Sequence, residues 1–200
     1  MDNGSDMHND PGNAAPGALE AVRRFVDTDD IYNGRDALAD VTAATEWLVA
    51  EGMPDKGPSM TAHDLAALRN LRDALRTMAA ANTLGEQPPR GAVDTFNGLA
   101  ARHAASVRLD VGRGATAASL EPSEDGPGGV VARLAAAVHE AVLTGTWTRL
   151  KSCDNPECRW LFYDGSRSRT ARWCSMRACG SIVKARRYRD KQRRGAADAS

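Results

Sequence analysis

The four cysteines of this chain fall in two pairs, Cys153-x4-Cys158 and Cys174-x4-Cys179, separated by a connector of 15 residues. Two close pairs with a short connector are what a tetrahedral zinc site needs: each pair offers two sulfurs from a turn, and the connector folds back so that the pairs converge. Asp154, Asn155 and Pro156 supply turn chemistry inside the first pair. The second pair opens the helical run CSMRACGSIVKARRYRD, and the dipole and free N–H groups of a helix N-terminus suit anionic thiolates. Four cysteine ligands leave no position open for water, so the pattern implies one structural Zn²⁺ and not a catalytic one. The competing readings are weaker. Two disulfides would need an oxidising compartment, a dithiol redox centre would prefer Cys-x2-Cys, and an iron–sulfur cluster suits this spacing less well.

The net charge of zero hides an asymmetry. Residues 149–194 carry 14 Lys and Arg against four Asp and Glu, whereas residues 1–148 carry 12 basic and 21 acidic groups. The chain therefore reads as an acidic body joined to a basic module. Lys184, Arg186, Arg187, Arg189 and Lys191 follow the second cysteine pair, with Arg193 and Arg194 beyond them. At 100° per residue, Lys184, Arg187, Lys191 and Arg194 gather on one side, with Arg186, Arg189 and Arg193 nearly opposite. A helix that is cationic all round repels itself and gains from an external polyanion, whose counterions it releases. Arg167, Arg169 and Arg172 in the connector extend the same positive surface. Offsetting the charge of a zinc tetrathiolate, about −2, needs only a few of these cations. Nucleic acid is thus the expected partner; the alternative is a zinc-stabilised interaction module whose basic helix docks on an acidic protein.

No second chemistry stands out. His8, His63, His103 and His139 are scattered without metal-ligand spacing, and no Ser/His/Asp order or carboxylate pair argues for catalysis, so the chain does not read as an enzyme. Gly112-Arg113-Gly114 is too short for a dinucleotide loop and reads as a hairpin turn. Six of the ten aromatic residues (Trp147, Trp160, Phe162, Tyr163, Trp173 and Tyr188) fall in the cysteine-bearing stretch. A module that small needs zinc and packed aromatics to fold, so Trp160 and Trp173 read as core and not as base-stacking platforms.

The elements that must position these residues are mostly helical. Residues 1–17, rich in Asp, Asn, Gly and Pro, read as a disordered tail. Leu19, Val22, Phe25 and Val26 define a helix over 18–28; Asp40 or Thr42 caps a second helix that stops at Gly52. Thr61 and Asp64 resemble a capping box before Leu65, Leu68, Leu71, Leu75 and Met78, and Gly85 ends that helix. A fourth helix over 92–104 turns Val93, Phe96 and Leu99 inward, two short strands span 106–120, and Val131, Leu134, Val138 and Val142 mark a helix ended by Gly145. The fold class is mainly α: a helical domain over 18–146 with a small β hairpin, then a ββα treble-clef-like zinc finger over 147–192 with a basic helix, and a disordered tail over 193–200. No apolar run approaches the roughly 18 residues of a membrane span, and MDNGSDMHND has no signal-peptide character, so a cytoplasmic protein is expected.

The run RLKSCDNPECRWLFYDGSRSRTARWCSMRACGSIVKARRYRDKQRR closely resembles the CGNR zinc finger. That family's pattern is Cys-x4-Cys, W-x-F-x-D-x-S, an Arg-rich link, W-C-S-M, Cys-Gly-Asn-Arg and a basic helix ending in Tyr-Arg. Cys153, Cys158, Cys174 and Cys179 match its zinc ligands, and Trp160, Phe162, Asp164, Ser166, Trp173, Ser175 and Met176 match its framework. The preceding part is similar to the helical ABATE domain through FVDT at Phe25–Thr28, the segment DALADVTAATEWL and the Leu-rich helix from Thr61. The resemblance covers residues 18–192 and implies a stress-induced bacterial transcription regulator. Its helical domain would sense a signal or form a homodimer, and its finger would bind DNA in preference to RNA. One departure stands out: Cys-Gly-Asn-Arg reads Cys179-Gly180-Ser181-Ile182 here. Either the missing Asn and Arg leave weaker or different base contacts, or Ser181 and Ile182 are compensated by local repacking.

Overall fold

Leu19, Val22, Phe25 and Val26 lie on one face of helix α1 (Leu19–Val26), and all four are buried. The computed structural model describes residues 11–52, 59–112 and 115–197. After α1 come two two-residue strands, β1 (Asp29–Asp30) and β2 (Arg35–Asp36), paired antiparallel around a turn in which Gly34 takes a left-handed φ of 64°. Helix α2 (Val41–Ala50) is capped by Asp40, whose carboxylate accepts the Ala43 N–H at 2.9 Å.

Helix α3 (Ala62–Leu84) begins with the capping box read from the sequence. Thr61 Oγ1 accepts the Asp64 N–H at 3.2 Å and the Asp64 carboxylate accepts the Thr61 N–H at 2.9 Å. Gly85, at φ 70°, ends it in the left-handed conformation that glycine adopts without a Cβ penalty. Leu65, Leu68, Leu71, Leu75 and Met78 form its buried stripe. Arg72 and Arg76 are buried on the same helix: Arg72 forks onto Asp36, and Arg76 donates to Asp29 and to the Val26 carbonyl, which ties the β1–β2 hairpin to the body. Helix α4 (Arg90–Ala100) buries Leu99, while Val93 and Phe96 are half-buried. Strands β3 (Ala105–Gly112) and β4 (Ala115–Pro122) pair antiparallel along their whole length, Leu109 opposite Ala118, and every side chain of β3 is exposed. Of the turn Gly112-Arg113-Gly114, residues 113–114 lie outside the described residues.

Helix α5 (Gly126–Leu143) starts earlier than its apolar periodicity indicates. Pro127 in the first turn forfeits no helical hydrogen bond, and Gly129 passes so close to the Glu124 carbonyl that an added Cβ would sit 2.3 Å from that oxygen. Val131, Leu134 and Val138 are buried, but Val142 is exposed because the last turn of α5 projects past the core.

Strands β5 (Leu150–Ser152) and β6 (Leu161–Tyr163) pair Leu150 with Tyr163 and Ser152 with Leu161. Leu150 and Leu161 are fully buried within the same apolar cluster as Val22, Phe25 and Leu75. Asn82 at the end of α3 donates to the carbonyls of Trp147 and Leu150, both at 2.9 Å, and Thr83 Oγ1 donates to Ser152 O at 2.7 Å and accepts Ser152 N–H at 3.0 Å. The hairpin that carries the cysteines is therefore built into the helical body and shares its core. Helix α6 (Ser181–Ala197) closes a ββα order, so the chain is mainly α with a finger after a helical body.

Two observations concern the ends of the described chain. Within the expected disordered stretch 1–17, the described residues 11–17 dock at two points: Pro11–Asn13 form a helical turn, Asn13 and Ala15 are buried between exposed neighbours, and the Ala15 N–H bonds the Glu20 carboxylate at 2.8 Å. A small side chain and one satisfied amide suffice to dock this segment without a run of large apolar residues. At the other end, α6 continues through 193–197, where Arg193, Arg194, Ala196 and Ala197 favour the helix although Gly195 does not. Residues 1–10 and 198–200 lie outside the described residues.

Candidate metal centre and cationic surface

Each cysteine pair is presented by a hydrogen-bonded turn. Cys153 follows β5 directly, and its N–H donates to the Trp160 carbonyl at 2.8 Å, which extends the hairpin. Between the first pair, the Asn155 carbonyl accepts N–H bonds from Cys158 and Arg159, at 2.9 and 3.1 Å, while its side-chain oxygen accepts that of Glu157. Arg159 takes φ 56° to complete the turn, a left-handed conformation uncommon outside glycine. The second pair returns because Asp154 N–H donates to the Arg172 carbonyl at 2.9 Å and the Asp154 carboxylate binds the Arg172 guanidinium at 2.6 Å. Met176–Gly180 form one wide turn, capped by Ser175 Oγ on the Ala178 N–H, and this turn delivers Cys179 to the start of α6.

The four Sγ atoms lie within 4.8 Å of one another and all four residues are buried. Tetrahedral Zn–S bonds of about 2.3 Å set the sulfurs about 3.8 Å apart. Cys158 Sγ and Cys174 Sγ are 3.6 Å apart, and Cys174 Sγ and Cys179 Sγ 3.8 Å, so the spacing fits the ion. The charges fit too. Crowded together with no cation, the four groups cannot all be thiolates: hydrogen bonds from Cys153, Cys158 and Cys174 hold Cys179 far below the ordinary thiol range, while contacts beginning with Cys153 push Cys158 and Cys174 above it. A divalent cation would resolve this conflict by stabilising every thiolate at once. Asn155 Nδ2 lies 3.5 Å from Cys179 Sγ as a donor, a partner that sequence reading took only for a turn former.

The connector is organised by a buried ion pair. Lys151 Nζ binds the Asp164 carboxylate at 2.8 Å and the carbonyls of Arg169 and Ala171 at 2.6 and 3.1 Å, with both side chains almost wholly buried. Arg169 holds φ 53°, which presents its carbonyl to that ammonium. Asp164 also accepts from Ser166 Oγ, Ser166 N–H and Ala171 N–H. Burial by itself would raise the Asp164 carboxyl, but these donors, Lys151 first, hold it at about 2. In the sequence Lys151 was one cation among many. Its role follows from its place in β5, between the buried Leu150 and Ser152, where an unpaired charge is too costly to bury.

Of the predicted nucleic-acid residues, Arg167, Arg169, Lys184, Arg186 and Arg189 are exposed. Arg186 bonds Glu157 at 2.6 Å, yet both side chains stay largely in solvent. Arg172 is half-buried and committed to Asp154, so it serves the finger's internal geometry before any external contact. The side chains of Arg187 and Lys191 lie outside the described residues. Trp160 and Trp173 are half-buried against the cysteine cluster, as a packing role requires. Trp160 also donates through Nε1 to Asp30 of β1 at 3.0 Å, and the Arg172 and Lys184 cations sit 6.0 Å from the Trp173 ring centroid. In place of the family's Asn-Arg, Ser181 Oγ donates to the Met176 carbonyl at 3.1 Å, bracing the turn, whereas Ile182 is exposed on the helix face that holds Arg186 and Arg189.

No helix among the described residues is long and apolar enough to cross a membrane. No curated protein matches the chain. Residues 149–192 match the CGNR zinc finger, which places the four-cysteine cluster in a zinc-binding family and makes it a site for one structural zinc ion. Residues 16–146 match the ABATE family, described as a putative stress-induced transcription regulator. Both are regulator and zinc-finger types and not enzyme families. The chain belongs to the ABATE family and carries a CGNR zinc finger after the ABATE region.

Proposed function

We propose that this protein is a cytoplasmic DNA-binding transcription regulator in which Cys153, Cys158, Cys174 and Cys179 ligate zinc and the metal-anchored helix α6 engages DNA. The helical body serves to dimerise or to sense a signal. The observation that carries the reading is α6 itself. Its first turn is fixed by Cys179 and the buried Val183, while Lys184, Arg186 and Arg189 stand in solvent around the rest of its circumference. Arg167 and Arg169 of the connector add exposed cations, and Arg172 helps to hold the turn that presents them. Such a rod binds phosphates through ion pairs that release counterions. A zinc–thiolate site also suits a reducing compartment.

Anisotropy of labelled duplex DNA at several salt concentrations tests this. The zinc-loaded protein should bind with a steep negative dependence on salt. Arg186, Arg187 and Arg189 together changed to Ala should weaken binding and flatten the slope by about one unit for each phosphate that is no longer neutralised. Absent binding, or binding indifferent to salt and to these changes, overturns the DNA reading and leaves docking on an acidic protein as the use of α6.

A further inference from the structure

Among the described residues, the β3–β4 ribbon has one apolar face that is open except at its root, where α5 lies beside it. Strand alternation and the register Val107–Leu120, Leu109–Ala118 put Val107, Leu109, Val111, Ala118 and Leu120 on that face. Arg108 and Glu121 lie on the other, where Arg108 bridges Asp110 and Glu121 at 3.4 and 3.5 Å. The polar face is thus the solvated one. Val107, Leu109 and Val111 are 68%, 64% and 84% exposed, which is unusual for three consecutive inward-type positions. Among the described residues β3 and β4 pair only with each other, so both edges of the ribbon are open.

Beside the root of the ribbon lies a groove of about 550 Å³, walled by Val107, Ala118 and Leu120 on one side and by Ala136, Ala137 and Leu143 of α5 on the other. The overhanging end of α5 leaves Leu143 exposed at its rim. Every chain therefore holds an apolar stripe in need of cover and an apolar groove in need of filling.

We propose that the protein forms a two-fold homodimer in which the distal apolar face of each β3–β4 ribbon, at Leu109 and Val111, fills the partner's groove between the ribbon root and α5. A second copy is the occupant for three reasons. Stripe and groove lie on the same chain, so a two-fold axis satisfies both at the same time and closes the assembly. The charges that line the groove, Arg133 and Glu140, are of opposite sign, which selects no strongly acidic or basic partner. The four exposed side chains Val107, Leu109, Val111 and Leu143 offer on the order of 500 Å² of apolar surface, which with its polar rim approaches the roughly 800 Å² per partner of a stable interface. The inference gives a surface to the dimerising role proposed above and uses no property of the finger.

Sedimentation velocity of the full zinc-loaded chain, with no DNA present, tests it. The wild type should sediment at twice its 21.3 kDa mass. Leu109→Asp combined with Val111→Asp should give a monomer, and so should Leu143→Asp on α5, each with an unchanged helical circular-dichroism signal because the positions are exposed. An equimolar mixture of the two variants should recover a dimer, since one intact ribbon then faces one intact groove. A monomeric wild type, a dimer that survives either variant, or variants that fail to complement each other overturns the arrangement. None of these results bears on DNA binding, and a DNA-binding failure would leave the dimer untouched.

Discussion

The Asp27 carboxylate, one residue past the end of α1, accepts the Leu161 N–H of β6 at 2.8 Å and pairs with Arg23 at 3.2 Å, so a single buried group joins the helical body to the strand of the finger. Burial pushes this carboxyl up to about 8, against the Leu161 N–H and the Arg23 and Arg76 charges that favour ionisation. Between about pH 4 and pH 8 the unfolded chain has released a proton that the folded chain keeps. The stability it contributes is therefore complete below about pH 4 and is lost as pH rises through 8. Urea unfolding across this range should show Asp27→Asn, which keeps an acceptor but does not titrate, gaining on the wild type as pH rises. Asp27→Leu should lose on the order of 1–3 kcal/mol by stranding the buried Leu161 N–H.

Asp164 has the opposite sign. With its carboxyl held at about 2 by Lys151 and the neighbouring donors, it contributes stability above about pH 4 that disappears as pH falls through 2. The shift corresponds to on the order of 2 kcal/mol. Lys151→Met should destabilise the protein by about 3–5 kcal/mol, because it leaves a buried carboxylate unpaired. Lys151→Met combined with Asp164→Asn should recover part of that loss in the same denaturation assay.

Metal analysis should find about one zinc per chain, and Cys174→Ser or chelation should remove it. Because Leu150 and Leu161 are buried in the core of the helical body, zinc loss should lower the melting temperature of the whole chain and not merely unfold an appended finger. A body transition that is unmoved by chelation would show that the shared core transmits no stabilisation.

Leu161→Ala should cost about 2–5 kcal/mol, as deletion of a large side chain from a packed core does, and should leave a single unfolding transition seen alike by circular dichroism and by zinc release. Separate transitions would mean that the two parts fold independently.

Gly129→Ala places a methyl group 2.3 Å from the Glu124 carbonyl oxygen, a backbone atom that cannot step aside cheaply. It should therefore destabilise the protein, whereas Ala ordinarily improves a helix over Gly by about 1 kcal/mol. Thr61→Ala should cost about 1 kcal/mol through loss of the cap on α3. Thermal melts separate both from the wild type.

Local chemistry was legible in the sequence: the Cys-x4-Cys pairs, the Thr61–Asp64 box, the Leu stripe of α3 and the cationic run of α6 each depend on residues a few positions apart. Spacing alone carries such information, because turns, caps and helix faces are set by neighbours along the chain. What only the tertiary structure decided spans longer distances: Leu161 N–H on Asp27, Trp160 on Asp30, Thr83 on Ser152, and the burial of Leu150 and Leu161 among Val22, Phe25 and Leu75. A two-residue strand such as β1, or a lysine like Lys151 inside a three-residue strand, has too little local pattern to mark its partner. Charge asymmetry separated the finger from the body on paper, yet apolar burial joins them, since a finger this small gains more from a neighbouring core than it could bury by itself.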